Sequence, residues 1–184
     1  MLEDILFQYQ NLVHKVDQVC KNLMNHYRAY IICSPGCSQC CEVERTVLPI
    51  EAHVIEQQLS IFSPQRIKKL RARHRKNDAS CPMLWENLCS IYFARPIICR
   101  THGLPIFYTE AEITFIDYCR LNFTELAADY KFDENGVLDM TRLNAELVHL
   151  DQQFAEMVLR KKWQANDRTS LRRILKNLIV KNST

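Results

Sequence analysis

Nine cysteines in a chain of 184 residues are the first chemistry the sequence offers. Four of them stand close together as Cys33-x3-Cys37-x2-Cys40-Cys41. The last three occupy positions i, i+3 and i+4, which share one face if the backbone is helical. Three sulfurs one turn apart can converge on a single ion or cluster, whereas a disulfide between the adjacent Cys40 and Cys41 would be strained. Metal binding is therefore favoured over disulfide formation. The Pro35-Gly36 turn just ahead of Cys37 would also set these thiols near a helix N-terminus, where the helix dipole lowers thiol pKa and favours the metal-ligating thiolate.

A second group, Cys81, Cys89 and Cys99, is spread over a longer stretch, and Cys119 follows in Asp117-Tyr118-Cys119-Arg120. These spacings match none of the common zinc-finger patterns. Cys20 lies beside an apolar helical stripe and reads as a small buried hydrophobe. The remaining eight cysteines suffice for two tetrathiolate sites, or for one cluster with spare thiols.

The motifs resemble the YkgJ-like CxxCxxCC family, described as a zinc- or iron-chelating domain. The matching residues are Cys37-Ser38-Gln39-Cys40-Cys41, Glu51-Ala52, Cys81-Pro82-Met83-Leu84, Cys89-Ser90-Ile91-Tyr92, Arg95-Pro96 and Cys99-Arg100, within a stretch from about Cys33 to Phe123. Two departures stand out. Three residues separate Cys33 from Cys37 where the family name implies two, and Leu48-Pro49-Ile50 replaces the threonine expected before Glu51-Ala52. The resemblance implies Cys37, Cys40, Cys41, Cys81, Cys89 and Cys99 as metal ligands, with Cys33 and Cys119 as secondary candidates. It implies an iron–sulfur cluster (4Fe-4S) or zinc as the cofactor, since all-thiolate sites suit both; the long span of the cysteines leans towards the cluster. Some relatives that methylate flagellin lysines are associated with such a cluster. That implies an alternative role as a metal-dependent enzyme, redox or protein-modifying, acting on a protein or small-molecule substrate.

Other polar residues take plainer readings. Arg95 and Arg100 bracket the second cysteine group and are expected to bind the cofactor indirectly, offsetting thiolate charge through charge-assisted hydrogen bonds. His102 is a candidate mixed ligand, although a histidine in that setting is more often structural. His53 and His149 fall on expected helices as packing or surface residues. Arg66, Lys68, Lys69, Arg71, Arg73, Arg75 and Lys76 crowd one short basic segment, with His74 among them. Such a run can bind phosphate or RNA, but interleaved aromatics are absent, so a solvated helix face is favoured and a nucleic-acid partner is not expected. No Gly-rich phosphate loop, His-Glu-x-x-His or Ser-His-Asp signature is present.

Composition sets the frame for these sites. With 47% hydrophobic and 24% charged residues the chain is globular and large enough to bury a core without disulfides. Its net charge of +3 is too small to signal nucleic acid or membrane. The opening Met1-Leu2-Glu3-Asp4-Ile5 lacks the basic start of a signal peptide, and nowhere do about 18 apolar residues run together, so a cytoplasmic protein with no membrane span is expected. Disulfides are disfavoured in that compartment.

The elements that must position the cysteines are mainly α. Apolar residues from Leu2 to Tyr30 keep a helical period. Pro49 suits the first position of a second helix, and Ser63-Pro64 the start of a third. From Asn77 to Arg100 the periodicity fails, which predicts a loop-rich segment ordered by something other than packing, namely a metal. Ile106–Tyr108 and Ile113–Ile116 predict a β-hairpin around a four-residue loop, Thr109–Glu112. Asp139 caps a long helix carrying Met140, Leu143, Leu147, Leu150, Phe154 and Met157, and a last helix runs from about Thr169 to Val180. The expectation is one helical domain over residues 1–184, with a Cys-rich, loop-rich metal-binding core at 33–123, a small β-hairpin, and flanking helices at 1–32 and 138–182.

Overall fold

The computed structural model describes residues 1–73, 79–127 and 129–179. In chain order these form α1 (Leu2–His26), β1 (Thr46–Val47), α2 (Pro49–Ser60), α3 (Pro64–Arg73), β2 (Leu84–Trp85), β3 (Leu88–Cys89), α4 (Ile97–Thr101), β4 (Ile106–Glu110), β5 (Ile113–Asp117), β6 (Leu138–Asp139), α5 (Met140–Met157), β7 (Thr169–Ser170) and α6 (Leu171–Asn177). The fold is mainly α with small sheets, as the helical periodicity requires. It divides into two compact units, one of residues 1–34 and 97–153, the other of residues 35–96 and 154–184.

In the first unit α1 buries Ile5, Tyr9, Leu12, Val16, Cys20 and Leu23 along one stripe. Cys20 takes the stripe position that apolarity alone would give to Val19, which is exposed. The helix stops at His26, short of Tyr30. Tyr27 instead turns its ring into an aromatic cluster, edge-on to Phe123 and Phe132 at centroid distances of 5.2 and 5.7 Å. Arg100 at the end of α4 pairs with Asp17 on α1 at 2.8 Å, its side chain almost wholly buried. A three-stranded sheet runs in the order β5-β4-β6, with β4 antiparallel to β5 and parallel to β6. Asp139 caps α5 through its carboxylate, which accepts from Arg142 N at 2.9 Å. The α5 stripe is buried from Met140 to Phe154, but Met157 is exposed.

The hairpin loop is shorter than the four residues expected. Strand pairing continues to Glu110 and Ile113, leaving only Ala111 and Glu112 as the turn, both at positive φ (47° and 67°). A two-residue turn with two left-handed residues matches the strand twist and normally carries Asn-Gly. Ala-Glu hides that signal.

In the second unit α2, α3 and α6 close over Val47, Ile55, Leu59, Ile67, Leu70, Leu171, Ile174 and Leu175. Pro49 opens α2, and the Glu51 carboxylate accepts from Leu48 N at 3.1 Å. The Glu-Ala pair of the family resemblance is thus a helix start. Ser63 Oγ accepts from Arg66 N to cap α3, and Ser170 Oγ accepts from Arg173 N to cap α6. β1 pairs with β7, and β2 with β3. The stretch before Arg100 is ordered by packing after all: Met83, Ile91 and Ala94 belong to the same core as the helices. Its lack of period reflects a hairpin and 3-10 turns, in which buried residues recur irregularly. Residues 77–78 of that stretch, residues 74–76 of the basic segment, and Val180 lie outside the described residues.

Lys68 and Lys69 of the basic segment are exposed, as a solvated helix face requires, while three of its arginines also reach neighbouring backbone. Arg71 donates from Nε to Leu175 O at 2.9 Å, and its guanidinium also reaches the carbonyls of Lys176 and Leu178, satisfying the open end of α6. Arg73 donates to Leu84 O at 2.7 Å, and Arg66 lies over the Phe62 ring and donates to Ser90 O.

Replacing Ala111-Glu112 by Asn-Gly should raise the unfolding free energy by about 1 kcal/mol, because a left-handed conformation costs a Cβ-bearing residue roughly that much. Urea denaturation of the double variant measures it. An unchanged midpoint would contradict the turn geometry.

Candidate metal centre

The second unit gathers four thiols from three segments. Gly36 supplies the positive φ (98°) that turns the chain after Pro35. A single 3-10 turn, Gln39–Cys41, follows, closed by Cys41 N donating to Ser38 O at 2.8 Å. The turn holds only Cys40 and Cys41. Cys37 precedes it and is exposed, so the helical face expected for Cys37, Cys40 and Cys41 does not form, and neither does the helix N-terminus expected beside them. Pro35 and Gly36 favour a tight turn too strongly for a helix to begin there.

Two backbone devices bring the other thiols in. Cys81 N donates to Cys41 O at 2.7 Å. Then β2 and β3 form a hairpin in which Leu84 faces Cys89, reversing the chain through Glu86 and Asn87, both at positive φ (49° and 60°). Ser38 Oγ donates to Asn87 Oδ1 at 3.4 Å, tying that turn to the first cysteine segment. Cys40 and Cys41 end with their Sγ atoms 3.9 Å apart. The Cys41 thiol lies near enough to Cys81 and Cys89 for both to raise its pKa, and Cys40 acts on Cys89 in the same way.

Crowding these thiols disfavours their ionisation. The hydrogen bond with Cys41, then burial and the charge of Cys41, push the Cys40 thiol far above its usual range, against a smaller pull from Arg45. At Cys41 the hydrogen bond from Cys40 lowers the pKa. Contact with Cys81, burial, and the charges of Cys81 and Cys89 outweigh it and raise the thiol to about 11. Burial raises Cys89, offset in part by a backbone hydrogen bond at Ile91 and by the positive charge of Arg95. Each thiolate is thus opposed by its neighbours, and a cation among them would reverse the sign of that opposition.

One pair of sulfurs has the spacing that a tetrahedral ion requires. With metal–sulfur bonds of about 2.3 Å, two sulfurs on one ion stand about 3.8 Å apart, close to the Cys40–Cys41 separation of 3.9 Å. Among the described residues no three His, Cys, Asp or Glu side chains already form a ligand set. Closing the remaining gaps requires side-chain rotation, for which each cysteine has one torsion with three staggered positions.

The other expected residues separate. Arg95 belongs to this unit and lies near Cys89, its guanidinium stacked over the Tyr92 ring at 3.8 Å. Arg100 belongs to the first unit, where it holds Asp17. Cys33, Cys99 and Cys119 are also in the first unit, and His102 is exposed in the turn after α4. His53 stands against Phe154 and near Gln57, and His149 near Gln153, consistent with packing and surface roles.

Two positioning groups had no visible signature in the sequence. Arg45 puts a positive charge near Cys40. Arg172, at the start of α6, donates from its backbone N and from Nε to the Glu44 carboxylate at 2.9 and 3.0 Å, and from its guanidinium to Ser80 O at 3.3 Å. It therefore ties together the segment just after Cys41 and the residue just before Cys81. Arg45 follows the cysteine pair closely in the chain, but nothing local singles it out, and nothing points to Arg172.

Burial raises the Glu44 carboxyl, but the hydrogen bonds from Arg172 and Ser170 and the charge of Arg172 outweigh it and leave the pKa below the usual value of 4.5. The unfolded chain then holds that proton more tightly than the folded one. The stabilisation is complete above the ordinary carboxylate range and is lost as pH falls through the depressed pKa. Arg172→Ala should cost roughly 1–3 kcal/mol near neutral pH and should flatten this acid dependence. Urea unfolding over a pH series checks both, and an unchanged pH profile would contradict the role given to Arg172.

No curated protein and no solved structure matches the chain. A family model does, over residues 32–120, a stretch that includes every cysteine except Cys20. The matching model is that of the CxxCxxCC family, described as a "putative zinc- or iron-chelating domain".

Proposed function

We propose that the protein binds a metal through Cys40, Cys41, Cys81 and Cys89, which act together as a tetrathiolate site for zinc or iron. The observation that carries this reading is the 3.9 Å separation of the Cys40 and Cys41 sulfurs beside Cys81 and Cys89, in a fold that spends a backbone hydrogen bond and a strained hairpin turn to bring them there. Two sulfurs at that spacing suit ligands of one metal atom. The separation favours a single ion, or an iron centre with two cysteines on one iron, over a cubane that takes one cysteine per iron. Arg45 and Arg95 offset the negative charge of a tetrathiolate. Cys37, adjacent in sequence, is left as a peripheral thiol.

Four thiolates saturate a tetrahedral ion, which favours a structural site over a catalytic one with an open position. The enzymatic alternative would need one of the four to leave.

Protein purified without oxygen should contain stoichiometric zinc or iron by elemental analysis, and Cys41→Ser should lose most of it while keeping its helical circular dichroism. Metal-free wild-type protein with native folding would overturn the proposal. Because the thiol pKa values are raised, binding should release a proton for each thiol coordinated near neutral pH, and the apparent affinity should increase with pH. Zinc titration in two buffers of different ionisation enthalpy measures the release; binding without it would mean that thiols are not the ligands.

A further inference from the structure

The second unit carries a further feature that uses none of the cysteines. Between α3 and the β2–β3 hairpin lies an open cavity of about 500 Å³, lined by Lys69, Ala72, Arg73, Trp85 and Glu86. That volume is within the range of small-ligand sites. Lys69, Ala72 and Arg73 stand at i, i+3 and i+4, so they share one face of α3, and all three are exposed. Trp85, half-buried on β2, supplies the one aromatic ring among the lining residues. Arg73 donates to Leu84 O at 2.7 Å, which fixes the guanidinium beside that strand and spends one of its five N–H donors.

The positive charge extends beyond the cavity. Arg66, Lys69 and Arg73, at i, i+3 and i+7, form one row along α3, about 10 Å from end to end at the rise of an α-helix. Arg66 lies 3.7 Å from the centroid of the Phe62 ring and donates to Ser90 O at 3.4 Å. That bond joins the helix to a segment with a second stack, Arg95 at 3.8 Å over Tyr92, whose ring meets Phe93 edge-on at 5.8 Å. Phe93 is 88% exposed. Residues 61–73 and 87–100 contain no Asp or Glu, so nothing in either segment neutralises these cations locally.

The sequence argues against a nucleic-acid partner because no aromatics interleave with the basic run. The fold supplies them from outside it, with Phe62 and Trp85 against α3 and Tyr92 on the segment that Arg66 reaches. Cations in a row beside aromatic rings suit a single strand, whose phosphates pair with the charges while its unpaired bases stack on the rings. A duplex offers phosphates but keeps its bases stacked on each other, and an acidic peptide has no need of an indole wall. We propose that this surface binds single-stranded nucleic acid, with one base stacked on Trp85 in the cavity and backbone phosphates along Arg66, Lys69 and Arg73. Glu86 disfavours a phosphate at the hairpin end of the cavity, whereas a carboxylate can accept from the N–H groups of a base, so the base belongs there.

Fluorescence anisotropy of a fluorescein-labelled single-stranded RNA of about eight nucleotides, titrated with the full-length chain purified without oxygen, tests this. The strand should bind, more weakly as salt rises, and a duplex of the same sequence should bind about 10-fold more weakly or worse, because its bases cannot reach the indole. Trp85→Ala should weaken binding by about 10-fold or more, and Lys69→Gln should lower the slope of log affinity against log salt by about 0.7. If Trp85→Ala loses its circular dichroism, Lys69→Glu, at an exposed position, is read in its place and should weaken binding by about as much. No binding at low salt would overturn the proposal, as would duplex binding equal to that of the single strand, or affinity unmoved in the folded variant. Polyglutamate that displaces the RNA as well as unlabelled RNA does would also overturn it, in favour of an acidic protein partner. None of these outcomes depends on whether the cysteines hold a metal, so this reading and the metal site fail separately.

Discussion

Thiolates held together repel one another, and the arrangement of the second unit follows from that constraint. Cys40, Cys41 and Cys89 are each pushed towards the neutral thiol by burial and by neighbouring sulfurs. Cys81 N donates to Cys41 O, and the β2–β3 hairpin returns Cys89 opposite Leu84 through a two-residue turn. Arg45 and Arg95 supply positive charge that lowers the cost of ionising Cys40 and Cys89.

Long-range packing sustains this geometry. The core of α2, α3 and α6 includes Cys81, Met83 and Ile91, so hydrophobic burial holds the hairpin in place. The arginines of the unit act mostly on backbone carbonyls and carboxylates. Arg71 satisfies the end of α6, Arg73 fixes β2, and Arg172 joins the first and second cysteine segments through Glu44 and Ser80. Within a basic run expected to be a solvated helix face, Arg71 and Arg73 also serve the backbone of neighbouring segments. Guanidinium groups suit this role, because several donors on one planar head can serve carbonyls from different segments at once.

Much of the fold is legible in the sequence because helices bury residues at a fixed period. The α1 stripe, the Pro49 start of α2, the Ser63-Pro64 start of α3 and the Asp139 cap of α5 all follow from local patterns. Places where local chemistry is atypical mislead. Ala111-Glu112 makes a turn that usually requires Asn-Gly, so the sequence suggests too long a loop for the hairpin. The segment before Arg100 has no period, yet Met83, Ile91 and Ala94 are buried, because irregular backbone can still present apolar residues to a core. The helical face of Cys37, Cys40 and Cys41 is a sound inference from spacing, defeated by the Pro35-Gly36 turn in front of it.

The sequence by itself determined the chemistry: a set of thiols in motifs characteristic of a chelating domain, in a helical protein too large to need disulfides for stability. Residue type and short-range spacing carry that information, because they fix which atoms can donate to a metal and how local turns present them. Only the tertiary structure decided which thiols stand together. Cys41 meets Cys81 and Cys89 in one unit, while Cys33 meets Cys119 across Gly103 in the other, although Cys33 and Cys37 are four positions apart in the chain. Such partnerships depend on hydrogen bonds and burial between segments dozens of residues apart, and proximity along the chain says nothing about them.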